Sequence, residues 1–135
     1  MEKKIIKTAK APAPIGPYNQ AVQFGDILFI SGQVAIEPIS GEMMTENIQS
    51  ETRRVMENLH SILTEAGLGF ENVLKSSIFL VDLNQFGKVN EVYGSYFENE
   101  NAPARETIQV SALPKNANVE ISMIAGKEKF QNTEK

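Results

Sequence analysis

Runs of apolar residues bounded by turn residues predict the first strands of the chain. Four apolar residues at 27–30 follow Gly25-Asp26 and precede another glycine, which is the length and punctuation of a strand buried on both faces. The pair Gly25-Asp26 predicts a hairpin turn from a strand near residues 19–24. Three prolines and a glycine at 11–17 favour extended backbone, as an ordered crossing segment or a loop.

Two stretches repeat apolar residues at steps of three and four, the spacing of an amphipathic helix. The first runs from about Glu46 to Ala66, and the following Gly67 is typical of the position after a helix end. The second comes after a β-branched and aromatic strand at 73–81, and its stripe consists of Leu83, Phe86, Val89, Tyr93, Tyr96 and Phe97. We interpret this aromatic stripe as core and not as a base-stacking surface.

Two further strands are predicted at 105–111 and 118–127, joined across residues 113–116. A second turn at Pro38-Ile39-Ser40-Gly41 closes another short excursion before the first helix. The element order is then roughly β-β-β-α-β-α-β-β, with two helices long enough to cover one face of a sheet. This order is an α+β fold. At 135 residues the chain has the length of one domain, 1–135, and its polar end at about 128–135 predicts a fraying tail.

Composition excludes several classes of function. Thirteen Lys and Arg against seventeen Asp and Glu give a net charge of −4, so no global field attracts nucleic acid or an anionic membrane. The chain has no cysteine, which excludes disulfides and thiolate chemistry. Its apolar runs are far shorter than the roughly 20 residues of a membrane span, and no secretory signal is visible, so we expect a cytoplasmic protein.

Nucleotide, metal and histidine chemistry also lack a signal in the sequence. No Gly-rich phosphate-binding motif is present. The one histidine, His60, falls within the first predicted helix without a metal-binding partner one turn away, so we predict no metal site and interpret it as an ordinary helix residue. A Ser-His-Asp triad would have to use this same histidine, without a nucleophile elbow in the sequence.

Candidate chemistry lies in the last two strands. Strand parity predicts that Arg105 and Glu120 both point away from the apolar face of their strands, and the short connection predicts that the two strands are neighbours. The pair is then either a cross-strand ion pair on a wet face, or part of a face that a second subunit covers. In the second case the guanidinium holds a carboxylate and the glutamate handles a water molecule.

Several motifs in this order resemble the RidA (YjgF) family of enamine/imine deaminases. They are Ile15-Gly16-Pro17-Tyr18-Asn19-Gln20-Ala21, Ser31-Gly32-Gln33, Pro103-Ala104-Arg105, Leu113-Pro114-Lys115 and Val119-Glu120-Ile121. Each motif is weak alone, but their order and spacing over residues 8–127 are specific.

The resemblance implies a chorismate-mutase-like α+β fold, with a mixed sheet, two helices on one face, and a homotrimer whose sheets form a central barrel with clefts between subunits. It implies hydrolysis of 2-aminoacrylate and 2-aminocrotonate, formed by pyridoxal-phosphate-dependent dehydratases, to 2-keto acids and ammonia without a cofactor. By resemblance Arg105 grips the substrate carboxylate and Glu120 positions or activates water. Positions lining the same cleft match Tyr18, Ser31, Gly32, Asn90 and the backbone of Thr107.

Four departures from the family pattern occur in or near these motifs, and the first is Asn19, which replaces a common serine after Tyr18. Glu106 follows Arg105 where a small residue is usual, and we expect its side chain to point away from the cleft. Thr107 stands where cysteine is common, and Glu51-Thr52 stands where Gln-Thr is frequent, which we interpret as a surface change.

Two other functions remain open from the sequence. The same cleft in a regulatory or sensor protein would bind a 2-keto acid and signal to a partner, and only Glu120 favours turnover over sensing. A ribonuclease or translation inhibitor, an activity attached to relatives, is disfavoured by the net charge of −4 and the single histidine.

Overall fold

Eight regular elements alternate along residues 1–127, which are the residues that the computed structural model describes; the predicted tail at 128–135 lies outside them. The elements are β1 (Lys3–Ile6), β2 (Ala21–Phe24), β3 (Ile27–Gln33), α1 (Ile48–Glu65), β4 (Val73–Leu80), α2 (Phe86–Gly94), β5 (Ala104–Gln109) and β6 (Val119–Gly126). The predicted order from α1 onward is confirmed, but the third strand expected between β3 and α1 is only an isolated bridge between Ile36 and Met43, and β1 was not predicted. The hydrophobic pattern gives no position for β1, because Lys3 and Lys4 leave few apolar residues to mark it.

The six strands form one mixed sheet in the order β1-β2-β3-β6-β4-β5. All neighbours are antiparallel except β4 and β5, which are parallel. The prediction that β5 and β6 are neighbours is therefore wrong, because β4 lies between them. The reason is α2, a helical crossover that places β5 beside β4 and parallel to it. The next strand, β6, then pairs with the other side of β4.

Both helices cover the same face of this sheet, as predicted. The buried side chains on that face include Leu28, Ile78, Leu80, Ile121 and Met123, and they form one core with Val55, Leu59, Ile62 and Leu63 of α1 and Val89 of α2. Burial of this apolar surface is the main force that holds the helices on the sheet.

The ends of α1 agree with the pattern that predicted them. Asn47 caps the start, where its side chain accepts a hydrogen bond from the Ser50 amide at 2.8 Å. Gly67 has φ 78°, and the next amide, of Leu68, donates back to the Leu63 carbonyl at 2.9 Å. This closure needs a left-handed residue, which glycine adopts without a steric cost.

The opposite face of the sheet is not covered by any helix or strand of residues 1–127, and it carries exposed apolar side chains. Phe24, Phe29 and Ile108 on this open face are 48%, 48% and 46% exposed. The alternation in β5 was therefore misinterpreted, because Ile108 and Glu106 lie on the open face, whereas Arg105 and Thr107 lie on the helix side. The trimer and the central barrel expected from the resemblance concern several copies and stay predictions.

Within residues 1–127 there is no helix with the length and apolar character that a membrane crossing requires.

Candidate functional site

A cleft of about 340 Å³ lies between the proline-rich segment before β2 and the strands β3 and β6. We call it the carboxylate cleft, since Glu120 is its one ionisable carboxyl side chain. Three more predicted site residues line it, namely Tyr18, Ser31 and Gly32. Most of its remaining wall is aliphatic, from Pro12, Ala13, Pro14, Ile15, Val34, Ile36 and Pro114.

Two buried carboxamides hold two segments of the wall of this cleft. The Gln20 amide group donates to the carbonyls of Thr8, Ala11 and Pro12, and its oxygen accepts from the Thr8 amide at 2.7 Å. The Asn58 side chain of α1 donates to the carbonyls of Val34 and Ile36 at 3.2 and 3.0 Å. Because both segments are fixed to buried side chains, the cleft is already formed without a ligand.

Glu120 lies half-buried in this cleft as the second residue of β6. Its carboxylate has no hydrogen-bond or ion-pair partner among residues 1–127, and burial raises the pKa of this carboxyl group above its usual value. A carboxylate with a raised pKa and free oxygens is suited to accept a proton from water.

Neighbouring groups leave room for that carboxylate. Gly32 lies against the Glu120 side chain so closely that any larger residue would overlap with it. The Ser31 hydroxyl donates to the Asn19 carbonyl at 2.6 Å, and the Tyr18 hydroxyl accepts from the Ile15 amide at 3.4 Å. Tyr18 remains 45% exposed at the mouth of the cleft, so its ring is accessible to a ligand.

Arg105 of β5 packs against α2, where two aromatic rings and one amide contact its guanidinium. The guanidinium carbon is 5.1 Å from the Tyr93 ring centre and 5.5 Å from that of Phe86. One nitrogen donates to the side-chain oxygen of Asn90 at 2.7 Å. These three residues are spaced i, i+4 and i+7 on one side of α2, and with Arg105 we call them the arginine platform.

The platform is anchored to the core through Tyr93. Its hydroxyl donates to the Ser76 hydroxyl at 2.8 Å, and burial raises the pKa of this phenol despite that hydrogen bond and the nearby Arg105 charge. Among the described residues no carboxylate pairs with Arg105. Since the guanidinium has five N–H donors and Asn90 uses one, a fork remains for a carboxylate ligand.

Thr107 lies beside the platform on the same face of β5, and its hydroxyl is the one buried side-chain polar atom of residues 1–127 without a hydrogen-bond partner. Leaving a buried hydroxyl without a hydrogen bond costs folding free energy. A ligand or a second chain that hydrogen-bonds to the Thr107 hydroxyl would remove this cost.

Glu120 and the arginine platform lie on opposite faces of the sheet. Arg105 is aligned with Ser76 of β4, whereas Glu120 is aligned with Phe79, three positions along the same strand. An odd offset puts the two side chains on opposite faces, and they are separated by about 10 Å along the sheet and about 10 Å across it. The prediction of an Arg105–Glu120 pair on one sheet face is wrong, and no small ligand contacts both within one chain.

Glu51 also corrects the interpretation from the sequence. It was expected at the surface, but it is 0% exposed. Glu106 does point away from Arg105, as expected. It lies on the open face, where the Ser77 hydroxyl donates to it and Lys75 is 3.3 Å away, and the hydrogen bond from Ser77 is the main cause of its lowered pKa.

The platform rings were missed as site residues because an aromatic stripe on a helix is usually core. Tyr93 is indeed buried, but Phe86 is 40% exposed. The i, i+4, i+7 spacing of Phe86, Asn90 and Tyr93 was the available signal. Residues 1–127 contain no group of three or more His, Asp or Glu side chains arranged to hold a metal ion.

The sequence matches one protein family over most of its length and has relatives that are nearly half identical to it. The family model described as endoribonuclease L-PSP matches residues 8–127. A RutC family protein from Pyrococcus abyssi is 48% identical over 95% of this chain and 100% of its own length. The 2-iminobutanoate/2-iminopropanoate deaminase of Mus musculus is 47% identical over 91% of this chain and 90% of its own length.

A solved structure supports the same relationship. The crystal structure of E. coli TdcF with bound serine superposes with a TM-score of 0.87 at 40% identity, over 93% of this chain and 99% of TdcF. The mixed sheet with two helices is therefore the fold of these relatives.

Proposed function

Because this chain belongs to the endoribonuclease L-PSP family, which is the YjgF/RidA family, we propose that it is a 2-iminobutanoate/2-iminopropanoate deaminase. It would hydrolyse 2-aminoacrylate, 2-aminocrotonate and their imines to 2-keto acids and ammonia. The observation that carries this proposal is the division of the site into a cleft with an unpaired, half-buried carboxylate and a platform with an unpaired guanidinium.

The chemistry needs little beyond these two groups. The guanidinium of Arg105 holds the substrate carboxylate through two parallel hydrogen bonds and so fixes the adjacent imine carbon. Glu120 takes a proton from water as the oxygen adds to that carbon, which gives a carbinolamine. The proton then passes to nitrogen, the C–N bond breaks, and ammonia leaves as the 2-keto acid forms. Water and substrate supply every atom, so the proposed reaction uses no cofactor.

The aliphatic wall of the cleft supports a substrate with a short apolar side chain. Its residues, among them Ile15, Val34 and Ile36, offer contact to a methyl or ethyl group and no partner for a charged one.

A complete site would need two copies of the chain, with the platform of one copy facing the cleft of its neighbour. The opposite positions of Arg105 and Glu120 support this, and so does the exposed apolar face that carries Phe24, Phe29 and Ile108. We propose a homotrimer of the chorismate-mutase-like type, with the open faces packed into a central barrel and three such sites.

The activity is tested by adding the purified protein to a threonine dehydratase and threonine. Faster release of 2-ketobutyrate than with the dehydratase alone supports the proposal, and an unchanged rate at any concentration of the protein contradicts it.

The shared site is tested by mixing two impaired variants, Arg105→Lys and Glu120→Gln, and measuring activity above that of either variant alone. In a ring of head-to-tail interfaces, each mixed site combines the platform of one copy with the cleft of the next. After joint unfolding and reassembly at equal amounts, about a quarter of the sites have both groups intact, so about a quarter of wild-type activity should return. If each chain forms its own site, mixing restores nothing.

A sensor of small carboxylates is the second candidate, and the serine bound in the crystal structure of E. coli TdcF favours it. A sensor would bind 2-ketobutyrate through Arg105 without measurable imine hydrolysis in the wild-type protein. The dehydratase assay and a titration with 2-ketobutyrate therefore separate the two functions.

A further inference from the structure

A fully buried carboxylate lies outside the residues so far given a role. Glu51, in the first turn of α1, is 0% exposed, and both of its oxygens accept hydrogen bonds from a single residue. Oε2 accepts from the Asn118 backbone amide at 2.7 Å, and Oε1 accepts from the Asn118 side-chain nitrogen at 2.8 Å. The position near the start of a helix also suits a negative charge.

Asn118 is the residue just before β6, and Glu120 is the second residue of that strand. The Asn118 carbonyl accepts from the Val81 amide at 3.2 Å, so this residue is held from α1 on one side and from the end of β4 on the other. Glu120 itself has no hydrogen bond to its carboxylate among the described residues. Its backbone is aligned with Phe79 of β4, so its place in the cleft is set by the start of β6, which Asn118 precedes directly.

We propose that Glu51 is a positioning residue for Glu120, acting through Asn118. The inference rests on the proposed function, in which Glu120 handles water. By fixing the backbone two residues before Glu120, Glu51 sets the height of the carboxylate in the cleft, opposite Gly32. A misplacement of about 1 Å in such a group lowers turnover by about 10²-fold.

Glu51 would also be buried if it contributed only to stability, so the test must separate a positioning role from a purely stabilising one. Thr52 is the matched control, because it is adjacent on the same helix and equally buried, but its hydroxyl donates within α1 to the Ile48 carbonyl at 2.7 Å. Thr52→Val perturbs the helix without loosening Asn118.

Glu51→Leu removes both acceptors from Asn118, whereas Glu51→Gln can replace them. The glutamine oxygen still accepts from the Asn118 amide, and its NH₂ group can donate to the Asn118 side chain once that carboxamide turns over. Asn118→Ala removes one of the two hydrogen bonds and stands in for Glu51→Leu if that variant does not fold.

The experiment measures 2-ketobutyrate release in the dehydratase assay and the Kd for 2-ketobutyrate in each folded variant. We expect Glu51→Leu to lower turnover by about tenfold to 10²-fold, and Asn118→Ala by less, with Kd within about twofold because Arg105 is unchanged. Glu51→Gln and Thr52→Val should stay within about threefold of wild type. Equal effects of Glu51→Leu and Thr52→Val would overturn this inference alone, whereas an inactive wild type would overturn the proposed function and this inference with it.

Discussion

Gly32 and Glu120 lie side by side on neighbouring strands, and the space that Gly32 leaves empty is occupied by the Glu120 carboxylate. A Cβ atom at residue 32 would come within 2.9 Å of the carboxyl carbon and 3.1 Å of Cγ of Glu120. The backbone of Gly32 has no left-handed torsion that would require glycine. The small residue is needed here for the approach of the carboxylate.

Gly32→Ala should therefore displace Glu120 while the fold remains. The obstructed atoms belong to the end of a flexible side chain, which can turn away, so we expect a loss of unfolding free energy of about 1 kcal/mol or less and a fall in turnover of about 10²-fold. Gly94→Ala is the control, since a Cβ there meets nothing within 4 Å. Wild-type turnover in Gly32→Ala would show that the position of Glu120 is unimportant.

The raised pKa of Glu120 predicts the acid side of the pH profile. Only the ionised carboxylate accepts a proton, so kcat/KM should rise as pH increases through a pKa that lies above the usual 4.5. The rate profile of wild-type protein in the coupled assay measures this pKa. The same limb should be absent from the residual activity of Glu120→Gln, and its persistence there would assign it to another group.

The same shift predicts a small dependence of stability on pH. Between the usual pKa and the raised one, the folded state keeps the proton of Glu120 after the unfolded state has lost it, so stability falls as pH rises through this window. Denaturant unfolding of wild type and Glu120→Gln across the window should show a steeper fall with rising pH in the wild-type protein.

The helices and the central strands could be predicted from the sequence because their patterns are local. The repeat of apolar residues in α1 and the glycine after it indicate where that helix lies without information on the elements it packs against. The same holds for β3, whose apolar run at 27–30 follows the Gly25-Asp26 turn.

The arrangement of the strands could not be predicted this way. Whether β5 lies beside β6 or β4 depends on the crossover through α2, and the apolar alternation in β5 marks an open face that one copy leaves uncovered. Glu51 was misassigned for a related reason. Its burial is compensated by Asn118, which is 67 residues away in the sequence.

Arg105→Lys tests whether ligand binding needs the planar guanidinium of Arg105 or only its positive charge. Lysine keeps the positive charge but loses the planar fork and its stacking on Phe86 and Tyr93, so we expect the Kd for 2-ketobutyrate to rise by about tenfold or more. The exposed Arg53 offers the matched control, since Arg53→Lys makes the same change on the outer side of α1. Equal binding by both variants would contradict the role of Arg105 as the carboxylate anchor.

We predict that the buried Gln20 side chain holds the proline-rich wall of the cleft in place. Gln20 is 2% exposed, and Gln20→Leu keeps its approximate volume but removes every hydrogen bond from this side chain to residues 8–12. The Thr8 amide then loses its acceptor and three carbonyls lose their donor, so we expect a loss of about 3 kcal/mol in unfolding free energy, measured by denaturant titration. Gln23→Leu is the control, because that side chain donates only to the nearby Gly25 carbonyl at 3.2 Å. In Gln20→Leu we also expect new proteolysis between residues 8 and 17 and weaker binding of 2-ketobutyrate. If the Gln20→Leu protein is as stable as wild type and this segment resists proteolysis, the proline-rich wall does not depend on Gln20.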